Sequence, residues 1–185
     1  MRIIAGIAKG MPLAVPRSGA TRPTSDRVRE AIYSSLGERV VGADVLDLFA
    51  GTGALGLEAA SRGARSVTFI ETAPTALKSL RRNIETFRKG HAVVCELSVV
   101  RANACGELRQ LAGQRSGFSL IFADPPYGDA AQTLLSNDSL PAVLAEGGVL
   151  VLESAKRERL VVSKDWVVVR EAIYGDTKVN FLARV

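Results

Sequence analysis

From residue 44 onward, short and almost unbroken apolar runs alternate with segments of helical period, and few folds accept that alternation. The run 44–49 (DVLDLF) leads into a glycine turn and a helix over roughly 54–62, and 66–71 (SVTFIE) leads into one at about 73–88. A third strand falls within 92–102, where AVVCEL and SVVR compete, ahead of a helix over about 105–113. The run 117–124 (GFSLIFAD) precedes a helix spanning about 130–145, and 147–153 (GGVLVLE) is the next strand. A strand that is apolar along its whole length has no solvent face, so these runs read as a parallel sheet covered on both sides by helices. The ending differs. DWVVVREAIYG and TKVNFLARV are two β-rich runs meeting at Gly175-Asp176, the pattern of an antiparallel hairpin closing one edge. The expectation is an α/β fold: a mostly parallel seven-stranded sheet with an antiparallel C-terminal hairpin and a small N-terminal arm.

The first 36 residues follow a different pattern. Residues 1–20 are rich in Gly and Pro and predict a strand or hairpin arm. Residues 24–36 predict a helix capped by Thr24 after Pro23, with Asp26 in its first turn and Val28, Ala31, Ile32 and Leu36 forming an apolar stripe. Were that helix to reach back to Arg22, then Arg22, Asp26, Arg29 and Tyr33 would share another face. Residues 1–36 hold six basic and two acidic side chains, whereas the remaining 149 hold 18 and 17, so the net charge of +5 is concentrated in the arm. Such a region suits a phosphate backbone, and on charge alone it fits a solvated arm equally well. The chain is thus expected to divide into a basic segment, 1–36, on the RNA or substrate side and a cofactor-binding domain, 37–185.

The composition, 47% hydrophobic and 23% charged, excludes a disordered chain. No apolar run approaches the roughly 20 residues that span a bilayer. In MRIIAGIAKG, Lys9 interrupts what would otherwise resemble a signal peptide, so a cytoplasmic protein is expected. Cys95, Cys105 and His91 fit no zinc spacing; no metal is expected, and His91 reads as a surface or packing residue.

Two motifs carry chemistry. In Val45-Leu-Asp-Leu-Phe-Ala-Gly51-Thr-Gly53-Ala-Leu-Gly56, a strand runs into a glycine turn that opens a helix, where missing Cβ atoms allow close approach of a ligand. The next strand ends in Glu71, eighteen residues after Gly53, where a carboxylate can accept from both ribose hydroxyls of an adenosine-containing cofactor. The second motif is Asp124-Pro125-Pro126-Tyr127, directly after an apolar strand and therefore at the carboxyl edge of the sheet, where open α/β sheets bind ligands. A base amino group is a poor nucleophile because its lone pair is delocalised into the ring. A carboxylate and a proline carbonyl can hold both amino hydrogens and aim that lone pair, while Tyr127 stacks on an extruded base.

The tetrapeptide resembles the Asp/Asn-Pro-Pro-Tyr motif of amino-methyltransferases that act on nucleobases. The likeness narrows further. Arg2-Ile-Ile-Ala-Gly6, Thr21-Arg-Pro-Thr-Ser-Asp-Arg-Val-Arg-Glu30, the glycine turn with Leu55-Gly-Leu-Glu58, and Asp124-Pro-Pro-Tyr127 occur in an order similar to that of the RsmD family, which methylates the guanine N2 amino group of one nucleotide in 16S ribosomal RNA. The resemblance implies a Rossmann-like class I fold and S-adenosyl-L-methionine as cofactor. It also implies 16S rRNA within a small-subunit particle as partner, no membrane association, and a monomer. It assigns cofactor contacts to Thr24, Asp47, Phe49, Gly51, Gly53, Glu71, Asn103, Ala104 and Asp124. Catalysis falls to Asp124, Pro125, Pro126 and Tyr127, and RNA contacts to Arg22, Arg27, Arg29 and Tyr127. Position 103 is Asn where Asp is more usual; its amide still offers adenine an acceptor and a donor. DNA adenine and protein glutamine methyltransferases share forms of the tetrapeptide, and N2-methylguanosine or N6-methyladenosine as product separates the nucleobase readings.

Overall fold

The computed structural model describes residues 1–16, 25–90, 94–114, 117–126 and 128–185. Arg22, Thr24, His91 and Tyr127 lie outside the described residues. Seven strands form one sheet: β1 (Asp44–Leu48), β2 (Ser66–Glu71), β3 (Glu96–Arg101), β4 (Phe118–Ala123), β5 (Leu144–Ala155), β6 (Trp166–Tyr174) and β7 (Thr177–Arg184). Their spatial order is β3-β2-β1-β4-β5-β7-β6. The first five run parallel, and β7 joins β5 and β6 antiparallel. The third strand takes residues from both competing runs.

Burial follows from this order. β1 and β4 lie in the middle with helices over both faces, so nearly every residue in them is buried. Alternate positions feed two cores. Val45, Val67, Phe69, Leu120, Phe122 and Val151 face α1 (Asp26–Leu36), α2 (Ala54–Ser61), α3 (Pro74–Gly90) and the N-terminal arm. Leu46, Leu48, Ile70, Ile121, Leu150 and Leu152 face α4 (Ala104–Gly113), α5 (Ala130–Leu135) and α6 (Leu140–Val143). On α3 the buried Leu77, Leu80, Ile84 and Phe87 recur at helical spacing, each contributing about 1.5–3 kcal/mol by leaving water.

The structure corrects several expectations. The first helix begins at Asp26 and is capped by Ser25, whose side chain accepts from Val28 N, so the expected start and cap at Thr24 shift by one to two residues. The single helix expected over 130–145 is two short ones. Between them Asn137 Oδ1 accepts from Ser139 N at 2.9 Å, a local side-chain bond that draws the backbone out of the helix. β5 consequently starts at Leu144 rather than 147. The arm is a loop pinned back on itself, with Arg2 bridging Pro12 and Ile3 N donating to Met11 O, rather than a pair of continuous strands. It is packed: Ile3 and Ala8 are wholly buried and share the core of α1, α2 and α3. The boundary near residue 36 therefore marks a change of backbone pattern within one shared core. Among the described residues no helix is long and apolar enough to cross a membrane.

Gly56 lies where α2 crosses β2. A Cβ there would come within 2.3 Å of Phe69 Cε1 and 2.7 Å of Val67 Cγ1, both in the core. Gly56→Ala gains helix propensity, but overpacking outweighs it, with an expected loss of about 1–3 kcal/mol. Thermal unfolding should show a Tm several degrees lower; an unchanged or raised Tm would contradict the packing account.

Candidate active site

The parallel register aligns the strand ends. Leu48 lies opposite Ile70 on one side and Ala123 on the other, and Ala123 lies opposite Leu152. The next residue of each strand, namely Phe49, Glu71, Asp124 and Glu153, therefore emerges at one level on the same edge of the sheet.

The turn after β1 is held in an unusual conformation. Phe49 has φ +59°, a region costly for a bulky side chain, and Gly51 and Gly53 follow at +56° and +80°. Backbone bonds fix it: Ala50 N donates to Ile70 O at 3.0 Å and Gly53 N to Ala50 O at 2.7 Å. The two glycines serve different ends. A Cβ at Gly53 would strike Leu80 Cδ1 at 2.4 Å, so this residue lets α2 approach α3. A Cβ at Gly51 would meet only Phe49 O, at 3.9 Å, so the space beside it is open to a ligand.

Glu71 closes the other side of that space. Its Oε2 accepts from Gly51 N at 2.8 Å, and its Oε1 accepts from Thr72 N at 2.7 Å and Ala73 N at 2.8 Å. The carboxylate is thereby fixed in orientation, and each oxygen keeps a further lone pair for a hydroxyl donor. Asp47 supports the turn from beneath. Only 2% exposed, it accepts from Gly56 N at 2.9 Å, satisfying one unpaired N–H in the first turn of α2. Burial, with the charges of Asp124 and Glu71 adding to it against the Gly56 bond, pushes its carboxyl up to about 7. That electrostatic coupling shows that the acids of the glycine turn, of β2 and of the Asp-Pro-Pro-Tyr segment converge on one cleft.

Of the remaining expected residues, Asn103 caps α4, its Oδ1 accepting from Gly106 N at 3.2 Å, and Ala104 is buried behind it. Asp124 is half-buried, Pro125 buried and Pro126 exposed. Arg27 is exposed. Arg29 is a correction. It is 0% exposed and donates to Arg2 O and, at 3.0 Å, to Asp26 Oδ1, so it locks the arm to α1 rather than presenting charge to RNA. Three functional groups were not apparent from the sequence. Glu58, wholly buried, accepts from Ile4 N, Ala5 N and Arg62 Nε. Asn83, 2% exposed, brackets both backbone groups of Ala14 while donating to Thr52 O inside the glycine turn. Glu153, 4% exposed, is the fourth acid of the cleft edge.

The strand order, the glycine turn at the end of β1 and the acid at the end of β2 define a class I methyltransferase, and S-adenosyl-L-methionine is the cofactor of that class. The residues present fit it: the open cradle beside Gly51 and the oriented Glu71 carboxylate suit an adenosine moiety. The family described as "Conserved hypothetical protein 95" matches residues 1–183, and the chain belongs to this family, that of RsmD. It is 36% identical over 188 residues to the ribosomal RNA small subunit methyltransferase D of Escherichia coli (strain K12), covering 100% of this chain and 90% of that protein. The protein of the same name from Haemophilus influenzae is 32% identical over 179 residues, covering 95% and 89%. Among solved structures, the hypothetical protein TTHA0928 of Thermus thermophilus superimposes with a TM-score of 0.82 at 29% identity, covering 100% of this chain and 99% of that one.

The raised Asp47 carboxyl has a consequence for stability. Between its ordinary value of 3.8 and about 7, the folded protein holds a proton that the unfolded chain has released. Stability contributed by this group therefore falls as pH rises through that window and levels off above it. Asp47→Asn, which keeps an acceptor for Gly56 N, should flatten this part of the stability–pH curve in urea unfolding between about pH 5 and 8. Parallel curves for both proteins would remove Asp47 as the cause.

Proposed function

We propose that this chain transfers a methyl group from S-adenosyl-L-methionine to the exocyclic N2 amino group of a guanine in 16S rRNA, as a cytoplasmic monomer acting on a small-subunit ribosomal particle. The observation that carries this reading is the position of Asp124, one strand away from the glycine turn at the same level of the sheet, in a chain that matches the ribosomal RNA small subunit methyltransferases D along its length.

The cofactor supplies a methyl group already made electrophilic by its sulfonium charge. This chain's residues supply position. The glycine turn and Glu71 seat the nucleoside end, with Thr24, Asn103 and Ala104 assigned to its remaining contacts. Asp124 and the Pro125 carbonyl accept the two amino hydrogens of the base, which aims the nitrogen lone pair. Pro125 and Pro126 stiffen the segment that presents them. Tyr127 stacks on the extruded base. Alignment of this kind is worth up to about 7–11 kcal/mol of the barrier, and a small misplacement costs roughly 100-fold in rate.

Asp124→Ala should accordingly lower the methylation rate by about 100-fold or more while changing the dissociation constant of S-adenosylmethionine only a few-fold. Transfer of labelled methyl to small-subunit RNA followed by nucleoside digestion should give N2-methylguanosine; N6-methyladenosine would overturn the reading. The exposed Arg27, together with Arg22, is proposed to hold the RNA backbone. Replacing both with Ala should weaken RNA binding and make it less sensitive to salt, the log–log slope flattening by about 0.9 for each phosphate no longer neutralised. A flat salt response in the unmodified protein would remove the electrostatic role of this segment.

A further inference from the structure

We propose that Glu153 is a specificity-determining residue that accepts the N1–H of the target base, so that the cleft selects guanine over adenine. This inference rests on the guanine-N2 reading above. Its basis is the order of the strand ends. Across the sheet, Glu71 at β2 and the glycine turn at β1 lie on the cofactor side, Asp124 at β4 comes next, and Glu153 at β5 lies beyond it. A base whose amino group is held at Asp124 and faces the cofactor side extends its ring towards β5.

Glu153 meets it there. Ala123 and Leu152 are register partners, so Asp124 and Glu153 are the next pair along, about one strand spacing of 4.8 Å apart. On β5, Val149 and Val151 face the core of α1, α2 and α3, and Glu153 continues that alternation onto the face that carries Asp47. Both Asp124 and Glu153 hold polar or electrostatic contacts within the protein, which fix their orientation; a carboxylate has four lone-pair directions, and such contacts leave others for a base. With 4% exposure, Glu153 is shielded from water, where a hydrogen bond discriminates more strongly.

The chemistry is complementary to one purine. The Watson–Crick edge of guanine presents the N2 amino hydrogens and N1–H side by side, a run of donors that suits two adjacent carboxylates. Adenine places an acceptor, N1, next to its amino group, and a carboxylate at β5 repels it. The sequence-distinctive tetrapeptide orients an amino group of any base; the acid on the neighbouring strand reads which base carries it.

The test is a cycle of enzyme and base. Once the methylated guanine is mapped, an RNA substrate carries 2-aminopurine at that position, which keeps the 2-amino group but has an acceptor at N1. The unmodified enzyme should prefer guanine by roughly 10–100-fold in kcat/KM, the range of one charge-assisted hydrogen bond. Glu153→Ala should lower the guanine value at least tenfold and leave 2-aminopurine within about threefold, collapsing the preference. Glu153→Gln, whose carbonyl still accepts, should retain an intermediate preference and serves if the Ala variant does not fold. Equal losses on both bases, or a preference unchanged by substitution, would overturn the role of Glu153. In those cases N2-methylguanosine still forms on the natural substrate; its absence with the unmodified enzyme would instead refute the underlying reading.

Discussion

Leu48 lies opposite Ile70 on one side and Ala123 on the other, and this single row of the parallel ladder decides where the reactive groups of the cleft sit. Three strands end at that row, and each hands its next residue to the same edge. A slip of one residue in any of them would turn its side chains to the opposite face. Asp47 would then enter the layer of α4, α5 and α6, and Asp124 would leave the cleft. The long apolar runs of β1 and β4 are the means of preventing this, because both faces of each strand are filled by cores that tolerate no shift.

The turn above that row is energetically expensive. Phe49 is left-handed, and Asp47 is an acid buried within reach of two others. What opposes these costs is distributed around the turn: Gly51 N on Glu71, Gly56 N on Asp47 and Asn83 on Thr52 O. Asn83 also brackets Ala14, so the element that steadies the cofactor turn is the same one that seats the arm. Glu58 completes the attachment by accepting from Ile4 and Ala5. The arm thus forms an added layer against α2 and α3, and its basic residues project from a fixed base.

The central architecture was legible because its signals are local. A strand ending in a glycine turn, an acid eighteen residues further on and a β-rich pair around Gly175 need no tertiary information, and all seven strands were anticipated. The discrepancies arise where local chemistry is degenerate or where faces matter. Thr24 and Ser25 are equally good caps, and only the observed bond from Val28 N selects Ser25. The tract Ser136-Asn137-Asp138-Ser139 held turn-forming residues inside a helical pattern, and they prevailed. Arg29 looked like one of several surface cations; charge counting cannot tell that its side of α1 is pressed onto the arm. Glu153 was indistinguishable from any acid at a strand end. Its level beside Asp124 depends on the β4–β5 register, which contains an irregularity between Phe118 and Leu120 that no sequence pattern announces.

The strand order also dictates how the molecule must assemble. Asp44 N bonds to the hydroxyl of Ser119, a partner 75 residues later, so the middle of the sheet is a long-range junction while its hairpin edge is a short-range one. Contacts of such separation close slowly, after the entropy of the intervening loop has been overcome. During synthesis β1 and β2 emerge well before β4, leaving one flank of β1 without its neighbour until about two-thirds of the chain has been made. The cleft between β1 and β4 is consequently a late product of folding, and competence to bind arises only when the two ends of that long span have met.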